Sequence, residues 1–238
     1  MGEYGRPTGK SLLWGAIAGL TVVVALLVAI AYWGPGTDTG EAPDSVLVIA
    51  LAEDADGAVV VAGAFVFESK PTTAQLTVVD TDSQVEIPGT TYDRLKDAYA
   101  FGGGDLVADS VSEISGSSSD AWVVLPPAVW REIVESAGGV GVHVPVATNA
   151  FVGGELYVIS AGRQTLSGSE LFALHSSSWY MQDEGMAAET REAFAQGIAE
   201  AVAEDWAVLV EAVEDDRADA SGSASSLESF GTSSDTYD

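Results

Sequence analysis

The chain has 238 residues, 47% of them apolar and 19% charged, which is enough for one globular domain with an appendage and excludes a wholly disordered polymer. Its 36 acidic residues against 9 basic ones give a formal charge of −27, a field that argues against binding nucleic-acid phosphate or an anionic bilayer surface. With no cysteine there is no disulfide, thiolate metal site, iron–sulfur cluster or thiol nucleophile.

Residues 11–33 (SLLWGAIAGLTVVVALLVAIAYW) carry no charge. As a helix rising about 1.5 Å per residue they match the ~30 Å hydrocarbon core of a bilayer, and a transmembrane helix is predicted there. Arg6 and Lys10 precede the run while Asp38, Glu41 and Asp44 follow it. Residues 1–10 are therefore assigned to the cytoplasm and the rest of the chain to the outside. The run exceeds the roughly 7–15 apolar residues of a cleaved secretory signal, so an uncleaved anchor is the preferred reading. Residues 34–45, rich in Gly, Pro and acid, read as a linker.

A domain is predicted over 46–214. Val/Ile/Phe-rich strands are expected at 46–52 and 58–67, joined through a tight turn at Asp56-Gly57, with a third at 75–79. Residues 91–115 look helical in two pieces broken at Gly102-Gly103-Gly104, the second placing Leu106, Val107, Val111 and Ile114 on one face. A strand at 121–125 is followed by a helix opened by Pro127 and ended by Gly138-Gly139. Period-two spacing of Val140, Val142, Val144 and Val146 and a strand near 155–160 come next. Ser167 and Glu170 form a capping box before LFAL, and an Ala/Glu-rich helix is expected over 184–213. Strands alternating with helices, with hairpins mixed in, predict an α/β fold: a mixed β-sheet flanked by helices on both faces. Residues 215–238, polar and rich in Ser, Gly and acid, read as a disordered tail.

Three ordered blocks carry a resemblance: VEIPGTTYDRLKDAYAFGGGDL at 85–106, DAWVVLPPAVWREIVESAGGVGVHVP at 120–145 and AGRQTLSGSELFAL at 161–174. They resemble the LytR-CpsA-Psr family of cell-envelope proteins over roughly 46–178. The resemblance implies a membrane-anchored extracytoplasmic α-β-α domain that moves a glycopolymer from a polyprenyl pyrophosphate carrier onto peptidoglycan. It also implies arginines on the pyrophosphate and an acidic magnesium site. Family members usually carry Pro-Arg-Asp before IPG. Here Asp80-Thr81-Asp82 keeps the acid at Asp82, the candidate catalytic residue, and replaces the arginine by Thr81. The upstream Arg-x-Asp-Thr falls on Ala58, Val59, Val60 and Val61, and a later Arg-x-Arg falls on Ser176 and Ser178. Arg94 remains at the basic position before the AYxxGG, with Lys96 close by; these two are the candidate substrate-binding residues. The family has also been described in terms of transcriptional attenuation, but this chain has no DNA-binding motif.

Asp80 and Asp82 are candidate ligands for Mg2+, because hard carboxylate oxygens suit that ion; two acids without a third ligand also suit a solvated strand end. Asp54-Ala-Asp56-Gly57 lacks the third acid and terminal Glu of a calcium loop, so a hairpin turn is expected. His175 beside Ser176, Ser177 and Ser178 invites a Ser/His nucleophile, yet no GxSxG elbow frames these serines. Arg94 and Lys96 suit a phosphate, or ion pairs with Asp93 and Asp97. The functional reading is a glycopolymer-transfer relative that has lost or weakened phosphotransfer while retaining polyprenyl-lipid binding. An active transferase with relocated cations and an acidic envelope scaffold binding a protein partner are the alternatives.

Overall fold

The computed structural model describes residues 42–69 and 74–233; the N-terminal segment at 1–10, the apolar run at 11–33 and most of the linker lie outside them. No helix of the described residues is long and apolar enough to cross a membrane. In chain order the elements are β1 (Ser45–Glu53), β2 (Val59–Ser69), β3 (Ala74–Val79), a 3-10 turn (Leu95–Asp97), α1 (Tyr99–Ser115), β4 (Ala121–Leu125), α2 (Pro127–Ser136), β5 (Val140–Val144), β6 (Thr148–Val152), β7 (Glu155–Ile159), β8 (Gly162–Leu166), α3 (Gly168–Ser178), α4 (Glu184–Glu204), α5 (Trp206–Glu214), β9 (Asp219–Ala220) and α6 (Ala224–Ser233).

The main sheet has the order β3-β2-β1-β4-β9. β1 runs antiparallel to β2 and parallel to β4, so the sheet is mixed as expected. Alternate residues of a strand point to opposite faces. Val46, Val48, Ala50 and Ala52 enter one core with Trp130, Phe194 and Leu209, whereas Leu47, Ile49 and Leu51 enter a second with Leu95, Val107 and Val111. Helices thus cover both faces, which is why β1 reads as an unbroken apolar run rather than an alternation. Trp130 Nε1 donates to the Leu51 carbonyl at 2.9 Å, so the largest residue of the first core is also tied to the sheet.

Where β2 follows β1, Asp54 Oδ1 accepts from the Asp56 and Ala58 amides (both 2.9 Å) and Gly57 takes φ +79°, which makes the acidic tetrapeptide the expected hairpin turn. The glycine break at 102–104 survives as a kink inside α1, where Gly103 adopts φ 64° and ψ −153°. Gly104 is needed for a different reason: a Cβ there would lie 2.6 Å from the Trp122 ring. Ser167 and Glu170 form the capping box that starts α3.

Several expectations are corrected. The single helix over 184–213 is two, because Asp205 leaves helical geometry (φ −131°, ψ 64°) between α4 and α5. β5 stops at Val144. β6 and β8 were not expected, since TNAFV and GRQTL mix polar and small residues too freely to show a strand pattern. The C-terminal segment is not a disordered tail over its described part. β9 pairs with β4, and α6 buries Leu227 and Phe230 completely. Phe230 packs 5.2 Å from Trp206, whose Nε1 donates to the Leu227 carbonyl at 2.9 Å. Two large apolar side chains three positions apart on one helical face suffice when the rest of the domain supplies the opposite wall.

Candidate functional site

The segment after β3 folds back on itself. Val85 N–H donates to Asp93 O, Leu95 N–H to Ser83 O and Lys96 N–H to Thr81 O, at 3.1, 3.1 and 2.9 Å. This short ladder sets 81–85 beside 93–96 and brings Asp82 together with Arg94 and Lys96. Lys96 Nζ lies 2.9 Å from Asp82 Oδ1, and Arg94 Nη1 donates to the Asp82 carbonyl at 2.5 Å. The other carboxylate oxygen, Oδ2, is held at 2.9 Å by Arg191 from α4. The alternative pairing is realised only in part: Arg94 Nε lies 3.7 Å from Asp93, while Lys96 turns to Asp82.

Beneath the two cations lies Trp179, just past α3, with Lys96 Nζ 5.4 Å and the Arg191 guanidinium 5.5 Å from its ring. A π-face attracts cations, so Trp179 helps hold two like charges side by side. His175 stands behind it, perpendicular to Trp179 at 5.8 Å and 4.5 Å from Phe194. Neither nitrogen of this buried imidazole has a hydrogen-bond partner. Burial, then the charge of Arg191, pushes its pKa down to about 3, so the ring is neutral. For Asp82, burial raises the pKa, but Lys96 and then Arg191 outweigh it, leaving the carboxyl below its ordinary 3.8. A depressed carboxylate contributes stability above its unfolded pKa and loses it as pH falls through the folded one, so this contribution is present in full at neutral pH and is lost only in strongly acid conditions.

Arg191 and Trp179 were missed from sequence, and His175 was weighed only as the partner of a serine nucleophile. Arg191 sits in the polar stretch MAAETREAF at 186–194, which suits a solvated helix face, and its partner lies in a remote loop. The serines beside His175 are not nucleophile partners: Ser176, Ser177 and Ser178 donate to the carbonyls of Phe172, Leu174 and His175 respectively.

The donor set does not fit a resident magnesium. Both oxygens of Asp82 face cationic side chains, and Asp80 Oδ1 accepts the Asp82 amide at 2.9 Å as a turn cap. No group of three or more His, Asp or Glu is placed for a metal among the described residues. Mg2+ keeps several of its waters and can be held by one or two carboxylates, so what counts against it here is that both oxygens of Asp82 are already paired with cations.

Between the sheet and α4 lies a cleft of about 560 Å³, walled on its apolar side by Leu76, Val78, Val79 and Ala195 and also lined by Asp82 and Arg191. Its volume falls in the range of small-molecule sites, roughly 300–1,000 Å³. Glu192 and Glu200 add acid to its wall. A second cleft, of about 490 Å³ between α5 and α6, offers Glu211, Glu214 and Glu228 and no cation, which makes it unsuited to an anion.

The chain matches the LytR_cpsA_psr family over residues 51–176. The polyisoprenyl-teichoic acid–peptidoglycan teichoic acid transferase TagT of Bacillus subtilis (strain 168) is 33% identical over 78 residues, which are 33% of this chain and 24% of that protein. The match thus spans about a quarter of the relative's length. Among solved structures, the LytR-Csp2A-Psr enzyme from Actinomyces oris superposes with a TM-score of 0.59 at 19% identity, covering 83% of this chain and 77% of that one. B. subtilis TagV superposes with a TM-score of 0.57 at 16% identity, covering 83% and 81%. At such identities the likeness is one of fold, and it agrees with the mixed sheet and its two helical layers. With a family match across more than half its length and that fold beneath it, the chain belongs to the LytR_cpsA_psr (LytR-CpsA-Psr) family.

Proposed function

We propose that the protein is a membrane-anchored cell-envelope member of its family that binds a polyprenyl phosphate-linked or pyrophosphate-linked glycan beside Asp82 and is weak in passing the glycan to peptidoglycan. The observation that carries the reading is the convergence of Lys96 and Arg191 on the Asp82 carboxylate, with Arg94 on the carbonyl of the same residue, next to an apolar-walled cleft. Anionic headgroups call for positioned Arg and Lys, and an isoprenoid calls for apolar wall. The similarity to TagT, a polyisoprenyl-teichoic acid–peptidoglycan teichoic acid transferase, supports this substrate class.

In transfer, an acceptor hydroxyl would attack phosphorus, its bond to the carrier phosphate would break and the carrier phosphate would depart. Cations stabilise the charge that builds up on the phosphoryl oxygens. Here Lys96 and Arg191 already neutralise Asp82, so an incoming phosphate competes with that carboxylate for them. A carboxyl held below its ordinary pKa is also a poor acceptor of the hydroxyl proton. Both effects weaken catalysis more than binding. A fully active transferase is the second reading, and Arg191 is the observation in its favour, since it restores a cation where Thr81, Ser176 and Ser178 offer none.

Binding is measured by native mass spectrometry of the detergent-purified protein with polyprenyl phosphate and with polyprenol. Arg191→Ala is expected to weaken the phosphate ligand roughly 10- to 100-fold, the worth of one charge-assisted contact at about 1.5–3 kcal/mol, and to leave the polyprenol unchanged. Binding of neither ligand would favour the protein-binding scaffold. Transfer of a short-chain polyprenyl pyrophosphate-linked sugar to peptidoglycan fragments, with magnesium present, separates the two catalytic readings: turnover equal to that of an arginine-rich relative sinks the weak one.

The anchor is a separate proposal, with residues 1–10 cytoplasmic and the domain outside. Protease added to intact, wall-stripped cells is expected to remove the domain. Protection until the membrane is permeabilised would reverse the orientation.

A further inference from the structure

The β6–β7 hairpin exposes more apolar surface than its fold requires. Phe151, Leu156 and Val158 are 74%, 63% and 71% exposed, and Tyr180 beside them is 75% exposed. The register sets Phe151 opposite Leu156 and Asn149 opposite Val158. Cross-strand partners share a face, so these residues stand together outward while Ala150 and Ile159 are buried on the other side. Phe151 and Tyr180 line one groove, which extends the patch onto the end of α3. Gly153 and Gly154, both at positive φ, make the tight tip. Across 144–162 and 171–182 the only formal charge is Glu155, in a chain of net charge −27. Contiguous exposed apolar surface of this kind marks an interaction site.

We propose that this face rests on the membrane, with Phe151, Leu156, Val158 and Tyr180 set into the boundary between headgroups and acyl chains. Charge decides the partner. A strongly acidic domain is repelled from the anionic surface of a cell envelope, and a face whose one carboxylate is Glu155 at the hairpin tip is the one that approaches within a Debye length of about 8 Å at least cost. Phe and Tyr on a narrow hairpin suit the interface, where an apolar body meets a wet rim. Reach allows it. Residues 34–44 extended at about 3.5 Å each cover roughly 35–40 Å, while a domain of this size has a radius of gyration of about 16 Å. A tether of that length holds the hairpin at an effective concentration on the order of millimolar, so even weak insertion is populated. The inference rests on the proposed anchor and is independent of the lipid-carrier and transfer readings.

The absence of cysteine lets single labels be placed at will. An environment-sensitive fluorophore is attached to the full chain at Leu156→Cys or Asn149→Cys on the hairpin face, at Glu113→Cys on α1 as an exposed control, and at Ala25→Cys in the apolar run. Each is reconstituted in phosphatidylcholine vesicles with and without brominated acyl chains. Labels at 156 and 149 are expected to shift to the blue and lose most of their emission to bromine, and the label at 113 to do neither. Adding Phe151→Asp to the Asn149→Cys protein is expected to abolish the quenching. Unquenched labels at 156 and 149 overturn the proposal whatever position 25 shows, and position 25 reports separately on the anchor. A blue shift that depends on protein concentration and not on bromine identifies a second copy of the chain on this face and also overturns it.

Discussion

Replacing His175 by phenylalanine is expected to flatten the pH dependence of the domain's stability between pH 7 and pH 5 without weakening it at pH 7. The imidazole is buried with both nitrogens unpartnered, and burial together with Arg191 holds its pKa at about 3. In the unfolded chain it titrates near 6.5, so the unfolded state takes the proton first. The sign follows: the contribution is fully present above about pH 6.5, falls by roughly 1.4 kcal/mol per pH unit below it, and levels off only near the folded value. Between pH 7 and 5 this amounts to about 2 kcal/mol, and several kcal/mol are lost by pH 3. Asp82 does not confuse the measurement, because its carboxyl stays ionised throughout that window. A phenylalanine keeps the ring contacts with Phe194 and Trp179 and leaves no unpaired nitrogen. Urea denaturation of parent and variant at pH 7, 6 and 5 decides the matter; equal pH sensitivity in the two would refute the assignment.

Phe230→Ala is expected to destabilise the domain by about 3–5 kcal/mol, the usual cost of removing a buried aromatic ring. For a domain of this size that lowers the melting temperature by roughly 6–20 °C. Ending the chain after Ser221 should cost more, since Leu227 leaves with Phe230 and Trp206 loses both the ring beside it and the carbonyl its indole donates to. A disordered tail would predict no change for either variant. Calorimetry that finds the truncated protein melting within a degree of the full chain would restore that simpler picture.

The ordered C-terminal segment was illegible for the same reason as the other elements the sequence did not show. β1, β2 and β4 are legible because β-branched residues crowd both of their faces, and α2 because its stripe has helical period. α6 is not, since two apolar anchors among serines carry no pattern until the wall they meet is known. The site divides the same way. Asp82, Arg94 and Lys96 were singled out by their places in the block at 80–106 that resembles the family, and the structure brings them together because one local ladder holds that block. Arg191 reaches Asp82 from a distant helix, and nothing in its neighbours distinguishes it from a solvated arginine. Trp179 and His175 look like ordinary core, and only the cations stacked on the one and the empty nitrogens of the other set them apart. The magnesium expectation meets the same limit: two nearby acids suggest a metal, and the cations that face Asp82 cannot be read from its chain neighbours.

The sheet order has a consequence for how the domain is made. β1 to β3 form a meander that closes as soon as they are synthesised, yet the other edge of β1 waits for β4, where Val46 meets Ala121, and the outer edge of β4 waits for Asp219. Pairings between such remote parts of a chain raise its contact order and slow folding. Until they form, apolar strand edges are open to other chains. The nascent domain therefore depends on residues 219 and 220 to seal its sheet, and a chain released or cut before Asp219 is left with an open edge on β4.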